Sequence, residues 1–170
     1  MDSKLNVYII TGCCGSGKTT LAKEFANNSP KTALISGDDV RDFYIDKCIN
    51  WDEKYKLTWQ NILLLVNNFL NNGINVMVEY IYVFENELSN ALSISNKYDA
   101  EMKYVVMTAN EAVIEERLIS RGDANLVKKA LSFQKKLCEN DSNKHYLYDG
   151  TNIPFEKQIY DITNWKLYTV

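Results

Sequence analysis

The chain has 170 residues, 46% apolar and 24% charged, ordinary values for a soluble globular protein and enough for one domain over residues 1–170. A net charge of −3 disfavours a general nucleic-acid binder, and no apolar run approaches the roughly 20 residues that span a bilayer. Met1 to Lys4 lack the build of a secretory signal, and Cys13, Cys14, Cys48 and Cys138 show neither CxxC nor zinc spacing, so free thiols in a cytoplasmic protein are expected.

Strand and helix signals alternate along the chain. Leu5 to Ile10 is a β-rich apolar run and reads as a first strand. Gly17 to Asn27 reads as a helix with Leu21, Ala22 and Phe25 on one face. Thr32 to Ile35 is a second strand, and Asp38 to Lys47 a short helix. Lys54 to Asn72 is a long helix whose Leu57, Ile62, Leu65, Val66 and Phe69 suit burial, closed by Gly73 in the left-handed conformation. Ile74 to Tyr80 has few polar positions, as a strand covered on both faces requires. A helix over Phe84 to Asn96, a strand over Lys103 to Thr108 and helices over Glu111 to Ser120 and Asn125 to Glu139 follow. Tyr146 to Tyr148 is a short fifth strand, and Phe155 to Thr163 a last helix. This alternation predicts an α/β fold of three layers, a five-stranded parallel sheet with helices on both faces. Ligands of such sheets bind beyond the carboxyl ends of the strands.

Gly12-Cys13-Cys14-Gly15-Ser16-Gly17-Lys18-Thr19 fits GxxxxGK[ST] at every defined position. Glycines let successive backbone N–H groups turn inward around phosphate oxygens, and the helix opening at Gly17 adds its positive end. Lys18, expected as an exposed loop side chain, reaches the β- and γ-phosphates of a nucleoside triphosphate, and the Thr19 hydroxyl ligates magnesium. Thr20 stands beside them. The strand before the motif and the amphipathic helix after it supply the context that a chance glycine-rich turn lacks. ATP with Mg²⁺ is the expected ligand.

Ser36-Gly37-Asp38-Asp39-Val40-Arg41 ends the second strand with two carboxylates and a guanidinium. Asp38 and Arg41, three apart, share a face if a helix starts there. A carboxylate near a γ-phosphate can take the proton of an attacking hydroxyl, and a guanidinium can hold an anionic acceptor or orient that carboxylate. Capping of the helix by Asp39 and Asp42 is the other use of the same segment.

In order along the chain, these segments resemble the small P-loop kinases: the group of shikimate and gluconate kinases, chloramphenicol phosphotransferase and polynucleotide 5′-hydroxyl kinase. The matching segments are Gly12 to Thr19, Asp38 to Arg41, Val76-Met77-Val78-Glu79, Glu115 to Arg121, and Tyr148-Asp149-Gly150-Thr151-Asn152. The resemblance implies Asp38 as general base and Arg41 as a substrate-positioning residue. It implies lid arginines at Arg117 and Arg121, and an adenine-bordering loop at Thr151 and Asn152. The implied metal set is Thr19, Asp39 and Glu79, the last where the family usually has aspartate. The activity so implied is phosphoryl transfer from Mg-ATP to a hydroxyl of an acceptor, a small molecule being favoured over nucleic acid. A nucleotide-binding switch that hydrolyses ATP without an acceptor is the alternative.

Three further groups have two readings each. Arg117 and Arg121 either face the nucleotide or pair with Glu115 and Glu116 in solvent. Lys128, Lys129, Lys135 and Lys136 repeat every seven residues and read as a solvated face rather than a basic stripe. Phe43, Tyr44, Trp51, Tyr55 and Trp59 either stack on an acceptor or pack helices onto the sheet. His145 reads as structural or surface-exposed.

Overall fold

The β-branched and aromatic runs pair into one parallel sheet. The computed structural model describes residues 4–45, 49–164 and 169–170. Strands β1 (Asn6–Gly12), β2 (Thr32–Ser36), β3 (Asn75–Glu79), β4 (Glu101–Thr108) and β5 (Leu147–Asp149) lie in the order β2-β3-β1-β4-β5. Ile10 pairs with Glu79 on one side and Val105 on the other, so the ends of β1, β3 and β4 reach one edge together. The helices between them are α1 (Lys18–Asn28), α2 (Gly37–Asp42), α3 (Trp51–Asn71), α4 (Glu85–Lys97), α5 (Glu111–Ser120), α6 (Val127–Glu139) and α7 (Phe155–Asn164).

Alternation along the strands divides the core into two layers. Tyr8, Ile10, Met77, Val105 and Met107 face Leu21, Ala22 and Phe25 of α1 and Ile162 of α7. Val7, Ile9, Val78, Tyr104 and Val106 face the other way, onto Ile62, Val66 and Leu70 of α3, Ala91 of α4 and Leu137 of α6. The three-layer α/β architecture is therefore as expected. The chain leaves the central strand for the β2 side and returns to the β4 side, so a crevice opens beyond the end of β1.

The differences lie at element ends. The long helix starts at Trp51, because the Asn50 side chain accepts the Glu53 N–H at 3.0 Å and caps it. The helix expected to reach Lys47 ends at Asp42, and Asp46 to Cys48 fall outside the described residues. A 3₁₀ segment at Asp141–Tyr146, with no apolar period to announce it, precedes β5. Among the described residues no helix is long and apolar enough to cross a membrane, and Cys13, Cys14 and Cys138 are free.

Candidate functional site

The phosphate loop turns through backbone that favours glycine: φ is 84° at Gly15 and 100° at Gly17. At Gly12 a Cβ would lie 2.5 Å from the Met107 carbonyl and 2.6 Å from Ser16 Oγ, so the loop closes onto β4 only with glycine there. Arg117 of α5 donates through Nη1 to the carbonyls of Gly15 and Ser16, at 3.1 and 3.3 Å. Those two carbonyls are thereby engaged by a cation. Ser16 Oγ is buried with no partner among the described residues, a polar atom left inside the cradle. Cys13 is buried, and burial, with the Cys14 thiol next to it, pushes its thiol up to about 11. Its Sγ lies 3.8 Å from Gln134 Oε1.

Lys18 corrects one expectation. It is the first residue of α1 and only 7% exposed, not a free loop side chain. Beside it, Thr19 Oγ1 donates to Glu79 Oε2 at 3.1 Å, and Ser36 Oγ donates to Glu79 Oε1 at 3.0 Å. Glu79, 2% exposed at the end of β3, thus draws the phosphate loop and the β2 terminus together. The set is all oxygen, the donor chemistry of Mg²⁺. Asp39 does not join it. Asp38 and Asp39 are successive on α2 and point apart by about 100°; Asp39 is exposed and lines neither cavity described below. No group of three or more His, Cys, Asp or Glu side chains among the described residues could hold a metal by itself.

Two cavities meet at this point. One, of about 440 Å³, runs along the phosphate loop to Arg117, Arg121, Gly150, Phe155 and Gln158. The other, of about 400 Å³, lies between Arg41, Trp51, Tyr82 and the face of α6 that carries Lys129, Phe133 and Lys136. Cys14, Lys18 and Asp38 line both. Arg41 Nη1 donates to Asp38 Oδ1 at 2.7 Å, and its Nε to Asp42 Oδ1 at 2.9 Å. The hydrogen bonds to Asp42 hold the Arg41 guanidinium above its ordinary range, and reciprocally hold the Asp42 carboxyl below its own. The short α2 is seated by Gly37, where a Cβ would lie 2.3 Å from the Tyr80 ring. Tyr80 is wholly buried, which pushes its phenol up to about 12.

Of the other expected residues, Arg121 lines the nucleotide-side cavity while paired with Asp123 at 2.9 Å. Thr151 and Asn152 line neither cavity; Thr151 Oγ1 accepts the Asn110 N–H at 2.7 Å instead. Gly150, Phe155 and Gln158 take that border. Gln158 is 4% exposed, its Nε2 donates to the Ile153 carbonyl, and its Oε1 has no partner among the described residues. Lys129 and Lys136 are exposed, as a solvated face requires, and at the same time border the second cavity. Of the aromatic group Trp51 alone lines it; Trp59 is core, Tyr55 packs on Phe84, and Phe43 and Tyr44 border a separate groove beyond Arg41. His145 is exposed.

Comparison with solved structures agrees with this fold. A tunicamycin resistance protein of Deinococcus radiodurans superposes with a TM-score of 0.67 at 12% identity, over 96% of this chain and 98% of that one. A gluconokinase of Sinorhizobium meliloti 1021 gives 0.58 at 15% identity, over 92% and 89%. A chain of the Pnkp1/Rnl/Hen1 RNA repair complex gives 0.58 at 17% identity over 78% of this chain; that match spans only 46% of the relative's length. Identities this low show the fold. No curated protein matches the sequence. The family model described as an AAA domain matches residues 7–140, from the first strand through α6. The chain therefore belongs to that AAA domain family.

Proposed function

We propose that the chain is a kinase that moves the γ-phosphoryl group of Mg-ATP to a hydroxyl of a small acceptor. The observation that carries this reading is the shared wall: Lys18 and Asp38 belong to both cavities, so a triphosphate along the loop and an alcohol beside Trp51 would meet between them. A nucleotide switch needs only the first cavity.

On this reading the loop amides and Lys18 bind the phosphates, and Ser16 Oγ finds there the partner it lacks. Thr19 and Glu79 would hold Mg²⁺, Thr19 directly and Glu79 from behind it. Bound with ATP, the ion would neutralise charge on the phosphate oxygens. Arg41 occupies Asp38 Oδ1, which orients the carboxylate and leaves Oδ2 without a partner among the described residues. Asp38 takes the proton of the acceptor hydroxyl. The acceptor oxygen bonds to the γ-phosphorus, the bond from that phosphorus to the β–γ bridging oxygen breaks, and its electron pair leaves with ADP. Arg117 holds the Gly15 and Ser16 carbonyls, a positioning role beside any contact it makes. Gln158 Oε1 is a buried acceptor suited to the exocyclic amine of adenine, which supports ATP over GTP.

The test is Asp38→Asn, assayed by transfer from γ-labelled ATP to a panel of alcohols. The variant should lose about 10²–10⁴-fold in turnover while its ATP affinity stays close to wild type. Transfer at the wild-type rate would make Asp38 a helix residue only. Slow hydrolysis with no acceptor in wild type would favour the switch.

A further inference from the structure

The second cavity is strongly cationic in an acidic chain. Against a net charge of −3, it is lined by Lys18, Arg41, Lys129 and Lys136 and by a single carboxylate, Asp38. Two of these cations have other work. Lys18 also faces the nucleotide cavity, and Arg41 is bound by Asp38 and Asp42. Lys129 and Lys136 have none: neither forms an ion pair among the described residues, whereas their neighbour Lys135 is 3.7 Å from Glu139. Neither lines the nucleotide cavity, so their charge is surplus to holding ATP.

Their placement follows from the helix. Positions 129 and 136 are seven apart, two turns, and Phe133 lies between them on the same face. That face is held toward the cavity by Gln134, whose Nε2 donates to the Ala109 carbonyl at 2.8 Å and whose Oε1 accepts the Ala109 N–H at 3.1 Å. The opposite wall is aromatic: Trp51 meets Tyr82 edge-on at 5.1 Å, and Tyr82 reaches across to Phe133 of α6 at 5.6 Å. The cavity is therefore aromatic and apolar within and cationic at its α6 rim. Both lysines are exposed and hydrated, so a neutral polyol would gain nothing from their charge, whereas an anion would be attracted and an aminated sugar repelled.

Resting on the kinase reading of this cavity, we propose that its acceptor is a small alcohol that already carries an anionic group, phosphate or carboxylate, on a ring-bearing body, with Lys129 and Lys136 as the residues that select the anion. The reacting hydroxyl then lies toward Asp38 and the anion toward α6.

Two measurements on the full chain test this: binding by isothermal titration calorimetry, and transfer from γ-labelled ATP. The probes share skeletons and differ in charge: glucosamine, glucose, glucuronate and glucose 6-phosphate, then uridine and uridine 3′-monophosphate. The anionic members should bind at least about tenfold better than their neutral partners, with glucosamine weakest, and the preference should shrink as salt rises. Glucuronate against glucose 6-phosphate, both charged at C6 of the ring, tells carboxylate from phosphate. Lys129→Gln with Lys136→Gln should remove roughly 10–100-fold of the preference, about three- to tenfold per lysine, while ATP affinity holds. Equal binding of neutral and anionic members, no binding of any, or an undiminished preference in the double variant overturns the proposal. Anion-selective binding without transfer supports it and sinks the kinase reading; transfer without anion preference does the reverse.

Discussion

Gly37 shows how little room the acidic turn leaves. An added Cβ would lie 2.3 to 2.7 Å from three carbons of Tyr80, all of them in or next to the ring rather than at a flexible tip. Tyr80 is itself enclosed, with Trp59 at 6.2 Å and Tyr82 at 6.0 Å, and cannot swing aside cheaply. Gly37→Ala should therefore lower stability by about 1–3 kcal/mol, the usual cost of overpacking. It should also lower turnover, because Asp38 follows directly. Urea unfolding followed by circular dichroism measures the first effect; an unchanged midpoint would mean that the ring yields. The residue scale also explains why Glu79 serves where aspartate is usual in the family resembled. Its extra methylene lets one carboxylate reach hydroxyls on two elements, Thr19 and Ser36, from a buried strand end.

At the scale of elements, α6 depends on one side chain for its seat at the site. Gln134 satisfies both backbone groups of Ala109, which is buried just beyond β4. Gln134→Leu would leave both unpaired. A loss of about 1–3 kcal/mol in stability is expected, together with a raised acceptor KM and a nearly unchanged ATP affinity. Thermal unfolding and steady-state kinetics with a confirmed acceptor would check it, and an ATP affinity that fell as far as the acceptor's would show a general collapse instead. The strands and the phosphate loop are legible in the sequence because local pattern decides them: apolar runs, a glycine after the long helix, and a motif whose spacing is itself the chemistry. The role of α6 is not. Lys129 and Lys136 obey the same periodicity as any solvated face, and only the packing of Phe133 and Gln134 against distant strands says which way that face turns. The adenine-side border fails for a similar reason. Thr151 and Asn152 carry the polar groups, yet Thr151 is engaged by Asn110, and the cavity falls to Gly150, Phe155 and Gln158, the last two on the first turns of α7.

Across the described residues, burial favours the neutral form of six proton-bearing groups, Tyr8, Cys13, Tyr55, Tyr80, Tyr104 and Cys138. Tyr8 is pushed up to about 12, with Glu101 adding to the effect of burial; Cys13 is pushed to about 11 and Tyr80 to about 12. In the unfolded chain they release protons near their ordinary values, about 8.5 for cysteine and 10 for tyrosine. Between those values and the folded ones the native state binds more protons, so stability falls as pH rises. It should be intact below about pH 8.5 and decline progressively through pH 11 to 12. Tyrosinate absorbance should consequently lag the titration of free tyrosine until the fold opens; a titration like that of free tyrosine would show these phenols to be accessible. The two cavities have a different consequence at this scale. Their common wall is confined to Cys14, Lys18 and Asp38, whereas Trp51, Tyr82 and α6 face the second cavity alone. If the chain is the kinase proposed, substitutions on that outer half would exchange one acceptor for another without disturbing nucleotide or base, which would make acceptor choice the part of this protein most open to divergence, and to redesign.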